Sequence, residues 1–253
     1  MSVDLGWLMI ALLLSVRVAA ATAFTAVLGP TTLPGPVRVL LAAGLGLLLA
    51  GAMGVRAPPA DSVISLGVAA VREVLIGAAL GAGFLIAYAA TQVAGRVLDT
   101  QMGFGVASLF NPSAGTLSPL TGTVLGMAAV SIFLAMDGHH ALIRALALSV
   151  ETSPPGTDGP LLAWRNLIPQ AGIMFVYGLA FAAPLMSALL LTDIALAIFS
   201  RSMPQLNVFV LGFALKIIFG LVGLAVSIRL AEATFRGLFT TTFRFWERTA
   251  SGS

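Results

Sequence analysis

The stretch VISLGVAAVREVLIGAALGAGFLIAYAATQV, residues 63–93, contains only two charged side chains, Arg72 and Glu73. A helix of this length extends about 46 Å, whereas the hydrocarbon core of a membrane is about 30 Å thick. The segment therefore predicts a membrane helix that protrudes from the bilayer, bends, or packs inside an assembly. This stretch decides the fold class, because so long an apolar helix does not suit a small soluble domain.

Similar apolar segments recur along the chain. The protein is 58% hydrophobic and 9% charged, whereas soluble domains have roughly 25% charged residues. We predict an all-α membrane protein with about six long apolar helices arranged as helical hairpins, in a single domain over residues 1–253. The other helices are expected at 5–28, 37–55, 120–136, 168–199 and 206–228, with a shorter hairpin arm at 141–150.

Several classes of function lack their residues. The net charge is +3, but the 13 Lys and Arg residues are scattered, so nucleic-acid binding is not expected. Cysteine is absent, and His139 and His140 are adjacent, without i, i+4 spacing or a carboxylate cluster, so no metal site is predicted. The nucleotide-binding and hydrolase motifs GxxxxGK[ST], GxSxG and HExxH are also missing. We therefore predict that the chain is not an enzyme.

The least regular part of the apolar sequence is QMGFGVASLFNPSAGTLSP, residues 101–119, where glycines alternate with Met and Phe side chains. Glycine allows the backbone to bend, whereas the apolar side chains do not suit a solvated linker. Irregular backbone is tolerated at membrane depth only when protein or a water-filled cavity surrounds it. This loop is therefore expected at the centre of an assembly. A separate Pro/Gly-rich loop is expected at 153–160.

Ionisable residues inside apolar segments are costly and count as functional candidates. A pairing or snorkelling role competes with a proton relay, which usually needs several carboxylates or histidines within reach, whereas the apolar segments offer only Glu73 and Asp193. Gln92, Arg96 and Asp99 form a further polar stripe at i, i+4 and i+7. The ionisable residues within the segments are Arg17, Arg72, Glu73, Asp193 and Lys216.

Small residues predict close helix packing. Gly77 and Gly81 have GxxxG spacing, which lets helix backbones approach where lipid provides no hydrophobic driving force. Packing within the chain and packing against another subunit both remain open.

Three blocks of sequence resemble the FliR/SctT family of type III export-gate subunits. The first is GPTTLPGPVRVLLAAGLGLLLA at residues 29–50. The second runs from VREVLIGAALGAGF at 71–84 through the 101–119 loop to residues 137–139, and the third is SRSMPQLNVFVLGFALKI at 200–217. The chain departs from the family pattern at Ala214, where Pro is usual, and at Asp193, where an uncharged or amide residue is common.

The resemblance implies a function and a set of partners. A flagellar member would form part of the channel through which unfolded flagellar proteins cross the bacterial inner membrane, as a multi-pass protein of the flagellar basal body. Its expected partners are FliP-like and FliQ-like subunits, with one copy of this chain, together with a FlhB-like export protein, unfolded export substrates and membrane lipid. No cofactor is implied. The alternatives are an injectisome gate subunit, a stand-alone transporter or channel, or an intramembrane enzyme.

The same resemblance assigns roles to particular residues. The central loop would plug the closed channel, and other polar residues would make intersubunit or interhelix contacts. The expected plug residues are Met102, Gly103, Phe104, Gly105, Leu109, Phe110, Asn111, Pro112 and Gly115. The expected contact residues are Arg72, Glu73, Gln92, Arg96, Arg201, Pro204, Gln205, Asn207 and Lys216.

Overall fold

The computed structural model of the chain describes residues 5–23, 34–54, 63–104, 119–156, 167–202 and 208–251. Side chains are described for all of these except residues 5, 208–211 and 251. Within these ranges every regular element is a helix and there is no strand, which confirms the predicted fold class. The helices are α1 Leu5–Ala23, α2 Gly35–Met53, α3 Val63–Met102, α4 Leu120–Ala135, α5 Gly138–Thr152, α6 Leu167–Ser202, α7 Val208–Leu230 and α8 Glu232–Ser251.

The long apolar helices agree with the predicted number. Five helices in the described ranges are long and apolar enough to cross a membrane, and a sixth span results if α4 and α5 are counted as one broken helix. The break falls at Met136 and Asp137, and Asp137 has a left-handed backbone with φ 55°. Pro184 lies inside α6, which continues on both sides of it.

Helix α3 is longer than predicted. It spans 40 residues, from Val63 to Met102, which corresponds to about 60 Å. The predicted end at Val93 was wrong because hydropathy falls where Gln92, Arg96 and Asp99 begin. The helix continues because two of these polar residues, Gln92 and Asp99, find hydrogen-bond partners within the protein.

The C-terminal helix α8 is absent from the predicted set. It is amphipathic, so its hydropathy never reaches that of a membrane span. Its apolar face, which includes Phe235, Phe239 and Trp246, is buried, whereas Arg244 and Arg248 are exposed. Helical periodicity of the aromatic residues would have indicated this helix.

The chain divides into two compact units. The first comprises Met1–Ala87, Asp137–Gly172 and Phe239–Ser253. Within it, α1 and α2 form a hairpin in which Gly46 of α2 lies directly against Ser15 of α1. A Cβ atom at Gly46 would collide with the Ser15 backbone, so this close approach requires glycine.

Helix α2 places its small residues inward and its large ones outward. Ala42, Gly46 and Ala50 are buried, at intervals of four residues. Leu40 and Leu48, in contrast, are 75% and 69% exposed. Exposed apolar surface of this kind is suited to lipid or to another subunit and not to water.

The second unit comprises Tyr88–Met136 and Ile173–Leu238. Here the C-terminal part of α3 contacts three helices. Gly95 lies against Gly122 of α4, Met102 lies against Gly220 of α7, and the Ala90 carbonyl lies against Gly178 of α6. Glycine at one side of each contact allows α3 to approach all three neighbours closely.

Candidate functional site

Asp99 of α3 forms hydrogen bonds with residues on both sides of the 105–118 segment, namely Phe104 and Thr121. The Asp99 side chain is 8% exposed, and its Oδ1 accepts a hydrogen bond from the Thr121 backbone N–H at 3.2 Å. The Thr121 hydroxyl lies 2.6 Å from the same oxygen and 2.8 Å from the Gly95 carbonyl oxygen. A hydroxyl has one proton, and the shorter distance to a carboxylate favours donation to Asp99.

Asp99 therefore caps α4 from another helix. The N-cap residue of α4 is Pro119, which makes no side-chain capping hydrogen bond. Cap side chains ordinarily accept the N–H of the second or third helical residue, and Thr121 is the second residue of α4. A carboxylate at this position also interacts favourably with the helix dipole.

Further contacts hold α4 against α3. Gln92 donates from Nε2 to the Gly122 carbonyl oxygen at 3.2 Å. A Cβ atom at Gly95 would overlap the Gly122 backbone, and one at Gly126 would press on the Tyr88 ring. The two helices are therefore fixed by both hydrogen bonds and backbone contact.

The chain leaves α3 through a tight turn. The Phe104 N–H donates to the Asp99 carbonyl oxygen at 2.9 Å, and Gly103 has φ 85°, a conformation that favours glycine. Met102 is completely buried and lies against Gly220 of α7, and the Phe213 ring lies beside Gly103. Three of the predicted plug residues, Met102 to Phe104, therefore lie in this turn, where Met102 and Gly103 pack against α7.

The remaining predicted plug residues lie outside the described residues, as do three predicted contact residues. The plug residues concerned are Gly105, Leu109, Phe110, Asn111, Pro112 and Gly115, and the contact residues are Pro204, Gln205 and Asn207.

A second polar cluster lies in the first compact unit. Arg17 of α1 is completely buried, and its guanidinium makes two contacts with Glu73 of α3, at 2.5 and 3.1 Å. It also donates to the Ser149 hydroxyl at 3.0 Å and to the Ser153 carbonyl oxygen at 2.8 Å. The cluster thus connects α1, α3 and the C-terminal end of α5.

The other predicted contact residues occupy different environments. Lys216 of α7 forms an ion pair with Asp193 of α6, with Nζ 2.5 Å from Oδ1. Arg72 is half-buried, whereas Arg96 and Arg201 are exposed on α3 and α6. Arg96 is therefore exposed, whereas Gln92 and Asp99, the two other members of its predicted stripe, form hydrogen bonds with α4.

The adjacent histidines have one carboxylate nearby. The ligand atoms of Asp137, His139 and His140 lie within 4.8 Å of one another, and all three residues are exposed. His140 Nδ1 is 3.4 Å from Asp137 Oδ1. No carboxylate cluster was predicted beside the two histidines, and in the described part of the chain the left-handed turn at Asp137 brings one aspartate next to them.

Three residues that make buried hydrogen bonds were not predicted from the sequence. Thr121 and Ser149 are ordinary polar residues in apolar helices, and Trp246 lies in the helix that was not predicted. Trp246 is 1% exposed and donates from its indole N–H to the Leu80 carbonyl oxygen at 2.8 Å. The helical spacing of the aromatic residues could have indicated the helix that holds Trp246, and a hydroxyl in an apolar stretch, such as that of Ser149, requires a partner when it is buried.

Comparison with known proteins gives a consistent result. The family model described as bacterial export proteins, family 1, matches residues 8–242. The flagellar biosynthetic protein FliR of Escherichia coli strain K12 is 31% identical over 241 residues, which cover 94% of this chain and 92% of that protein. The FliR of Bacillus subtilis strain 168 is 35% identical and covers 68% of each chain. The Yop proteins translocation protein T of Yersinia pestis is 31% identical over 57% of each chain.

Proposed function

The chain belongs to the bacterial export proteins, family 1, and from this premise we propose that it is a subunit of the flagellar type III protein export gate. In that role it would form part of the channel through which unfolded flagellar proteins cross the inner membrane. The observation that carries the proposal is the match to relatives named as flagellar biosynthetic proteins over nearly the full length of both chains. An injectisome gate is the alternative, and the shorter match to the Yersinia protein is the reason to retain it.

The apolar surface supports membrane residence within an assembly. The exposed side chains of α2, α6 and α7 are largely Leu, Ile, Val and Phe, which water does not favour. Helices α3 and α6, with 40 and 36 residues, extend about 60 and 54 Å. Both lengths exceed the hydrocarbon thickness, so protein neighbours outside the bilayer suit them better than lipid alone.

The expected neighbours are FliP-like and FliQ-like subunits and a FlhB-like export protein. No chemical reaction is assigned to the chain, since gating by displaced side chains requires none. Passage of an unfolded polypeptide needs a seal that can be moved aside, and the apolar, glycine-containing segment within residues 101–119 has the composition for it. We assign to this segment the role of plug in the closed channel.

Native isolation tests the subunit role. The full chain carrying an affinity tag, expressed from its own locus and extracted in mild detergent, should be recovered with several other membrane proteins in one large complex. The purified chain alone, in liposomes, should transport neither ions nor solutes. Recovery as a single species that is active in liposomes would establish the transporter alternative instead.

A further inference from the structure

We propose that Asp137, His139 and His140 form a binding site for one divalent transition-metal ion, of the zinc class, at the start of α5. This site does not depend on the export role, because it is built only from these three side chains and the first turn of the helix. The chain has two histidines and no cysteine. The imidazole ligands that such an ion prefers are therefore all concentrated at this one turn.

The first turn of α5 brings the two histidine rings together. Neighbouring residues project about 100° apart from a helix, and this spacing by itself argues against a shared site. The ring centroids of His139 and His140 nevertheless lie 4.1 Å apart, with an angle of 37° between the ring planes. Both residues are exposed, so each ring can rotate to present a nitrogen to the same ion.

Asp137 supplies a carboxylate beside the rings. Its backbone carbonyl oxygen accepts the N–H of His140 at 2.9 Å, which closes the first turn. The two residues occupy the N-cap and third helical positions, whose side chains can reach each other. Within the described residues the Asp137 side chain makes no capping hydrogen bond, so its carboxylate is not committed to the helix backbone. Instead, Asp137 Oδ1 lies 3.4 Å from His140 Nδ1.

The distances suit metal coordination better than hydrogen bonding. A separation of 3.4 Å is longer than an ordinary N–H···O hydrogen bond. Two ligand atoms held about 2.1 Å from a tetrahedral zinc ion, in contrast, lie about 3.4 Å from each other. The ligand atom of His139 is within 4.8 Å of the other two, and small rotations of exposed side chains close the remaining difference. Water would complete the coordination.

The ligand set selects the kind of metal. Two imidazoles and one carboxylate suit Zn²⁺, Ni²⁺ or Cu²⁺, whereas Mg²⁺ and Ca²⁺ prefer oxygen ligands. The N-terminus is the positive end of the helix dipole and opposes a cation, but this effect is small at an exposed terminus. The Asp137 carboxylate offsets it with a negative charge. A bound ion would join Asp137 to both histidines and so stabilise the left-handed turn at Asp137.

Zinc titration of the full-length chain tests the site. The protein is purified in detergent with an affinity tag that contains no histidine, so that the tag does not bind metal. Isothermal titration calorimetry should show one Zn²⁺ per chain, without competition from excess Mg²⁺. Zn²⁺ should also raise the melting temperature, because a ligand that binds the folded state stabilises it.

Substitution of each ligand should weaken Zn²⁺ binding. Asp137→Asn, His139→Ala and His140→Ala should each reduce the affinity about tenfold or more, because even the loss of a residue that supports a metal ligand typically costs about 10–100-fold. Asparagine adopts the left-handed conformation readily, so Asp137→Asn keeps the turn. Glu151→Gln is the matched control, because Glu151 is an exposed carboxylate of the same helix about 21 Å from Asp137. It should leave the affinity unchanged.

Several outcomes would overturn the metal site. They are absence of Zn²⁺ binding by the unmodified chain, unchanged affinity in any of the three ligand variants, and an equal loss of affinity in Glu151→Gln. Chemical modification by diethyl pyrocarbonate gives a second readout that needs no variant, so it decides the question if a variant fails to fold. Zn²⁺ should slow the modification of both His139 and His140, and an unchanged rate at either histidine would reject the three-ligand site.

Discussion

Arg17 of α1 and Glu73 of α3 form a two-point ion pair, with distances of 2.5 and 3.1 Å, in which the side chains are 0% and 2% exposed. The remaining guanidinium contacts go to the Ser149 hydroxyl and the Ser153 carbonyl oxygen. A buried charge is tolerated when it is paired and fully hydrogen-bonded. This cluster is thus a structural connection among three helices. Among the described residues, the hydrogen-bond partners of Arg17 include no carboxylate or histidine beyond Glu73 that could continue a proton relay.

The ion pair predicts strong non-additivity. Arg17→Leu alone should destabilise the protein by roughly 3–5 kcal/mol, because the Glu73 carboxylate would remain buried without its partner. The double variant Arg17→Leu/Glu73→Leu should recover much of that loss, since apolar replacement of a buried pair is often neutral. Thermal unfolding in detergent of the purified unmodified protein, the two single variants and the double variant measures the coupling between the two residues. Additive losses in the two single variants would show that the residues are not coupled.

Two glycines of α3 should respond oppositely to alanine. A Cβ atom at Gly77 would overlap the Arg17 carbonyl oxygen, so Gly77→Ala should separate α1 from α3 and destabilise the protein. Gly67 has no atom within 4 Å of the added Cβ, so Gly67→Ala should stabilise the helix by up to about 1 kcal/mol. The melting temperatures of the two variants, measured together with that of the unmodified protein, test this difference. Equal shifts would mean that Gly77 does not mediate packing against α1.

The C-terminal helix should depend on Trp246. Trp246→Ala removes a buried ring and its hydrogen bond to Leu80, with an expected cost of roughly 3–5 kcal/mol. Trp246→Phe should cost less, because the ring volume is largely retained. Limited proteolysis is the measurement, since a released α8 should be cleaved earlier than the rest of the chain. Arg244→Ala serves as the exposed control and should leave the cleavage pattern unchanged.

The ion pair between Asp193 and Lys216 predicts a rescue by charge exchange. Lys216→Met leaves a carboxylate on an apolar helix face, where an unpaired charge costs about 3 kcal/mol. The amount of folded protein in the membrane should therefore fall. The exchanged variant Asp193→Lys/Lys216→Asp should restore it. Fluorescence-detected size-exclusion chromatography of tagged variants measures the amount of folded protein. If the exchanged variant yields no more folded protein than Lys216→Met, the ion pair does not stabilise the protein.

Removal of part of the central loop tests the plug. Deleting residues 105–112 should raise ion leakage across the membrane when the complete gate is expressed, because the apolar obstruction is lost. Ion leakage is measured in two ways, as loss of growth in elevated salt and as loss of the membrane potential. The same deletion in a strain without the other gate subunits should have no effect, which separates a channel opening from general membrane damage.

Asn207 provides a test of the predicted interhelix amide contacts. Asn207→Leu should weaken co-purification of the partner subunits, since an amide in an apolar stretch of sequence needs a hydrogen-bond partner wherever it is buried. Quantitative mass spectrometry of the purified complex is the measurement. Intact complexes in normal yield would refute this role for Asn207.

Hydropathy was sufficient for the membrane helices because their apolar character is local. The long stretches at α1, α2, α3, α6 and α7 are visible without any knowledge of their neighbours. Helix α8 was missed because its apolar residues recur at helical spacing among polar ones, so the hydropathy averaged along the stretch stays low. The end of α3 was placed too early because Gln92 and Asp99 look like residues that would leave the membrane, whereas both are bonded to α4.

By itself the sequence determined that the protein is helical and apolar, and that its central blocks resemble one family of export proteins. These properties depend on composition and on spacing along the chain. Only the tertiary structure decided that Arg17 meets Glu73 and Ser149, that Asp99 caps α4, and that Trp246 bonds to Leu80. The physical reason is that each of these contacts joins residues between 22 and 166 positions apart, and a polar side chain carries no mark of its distant partner until packing brings the two together.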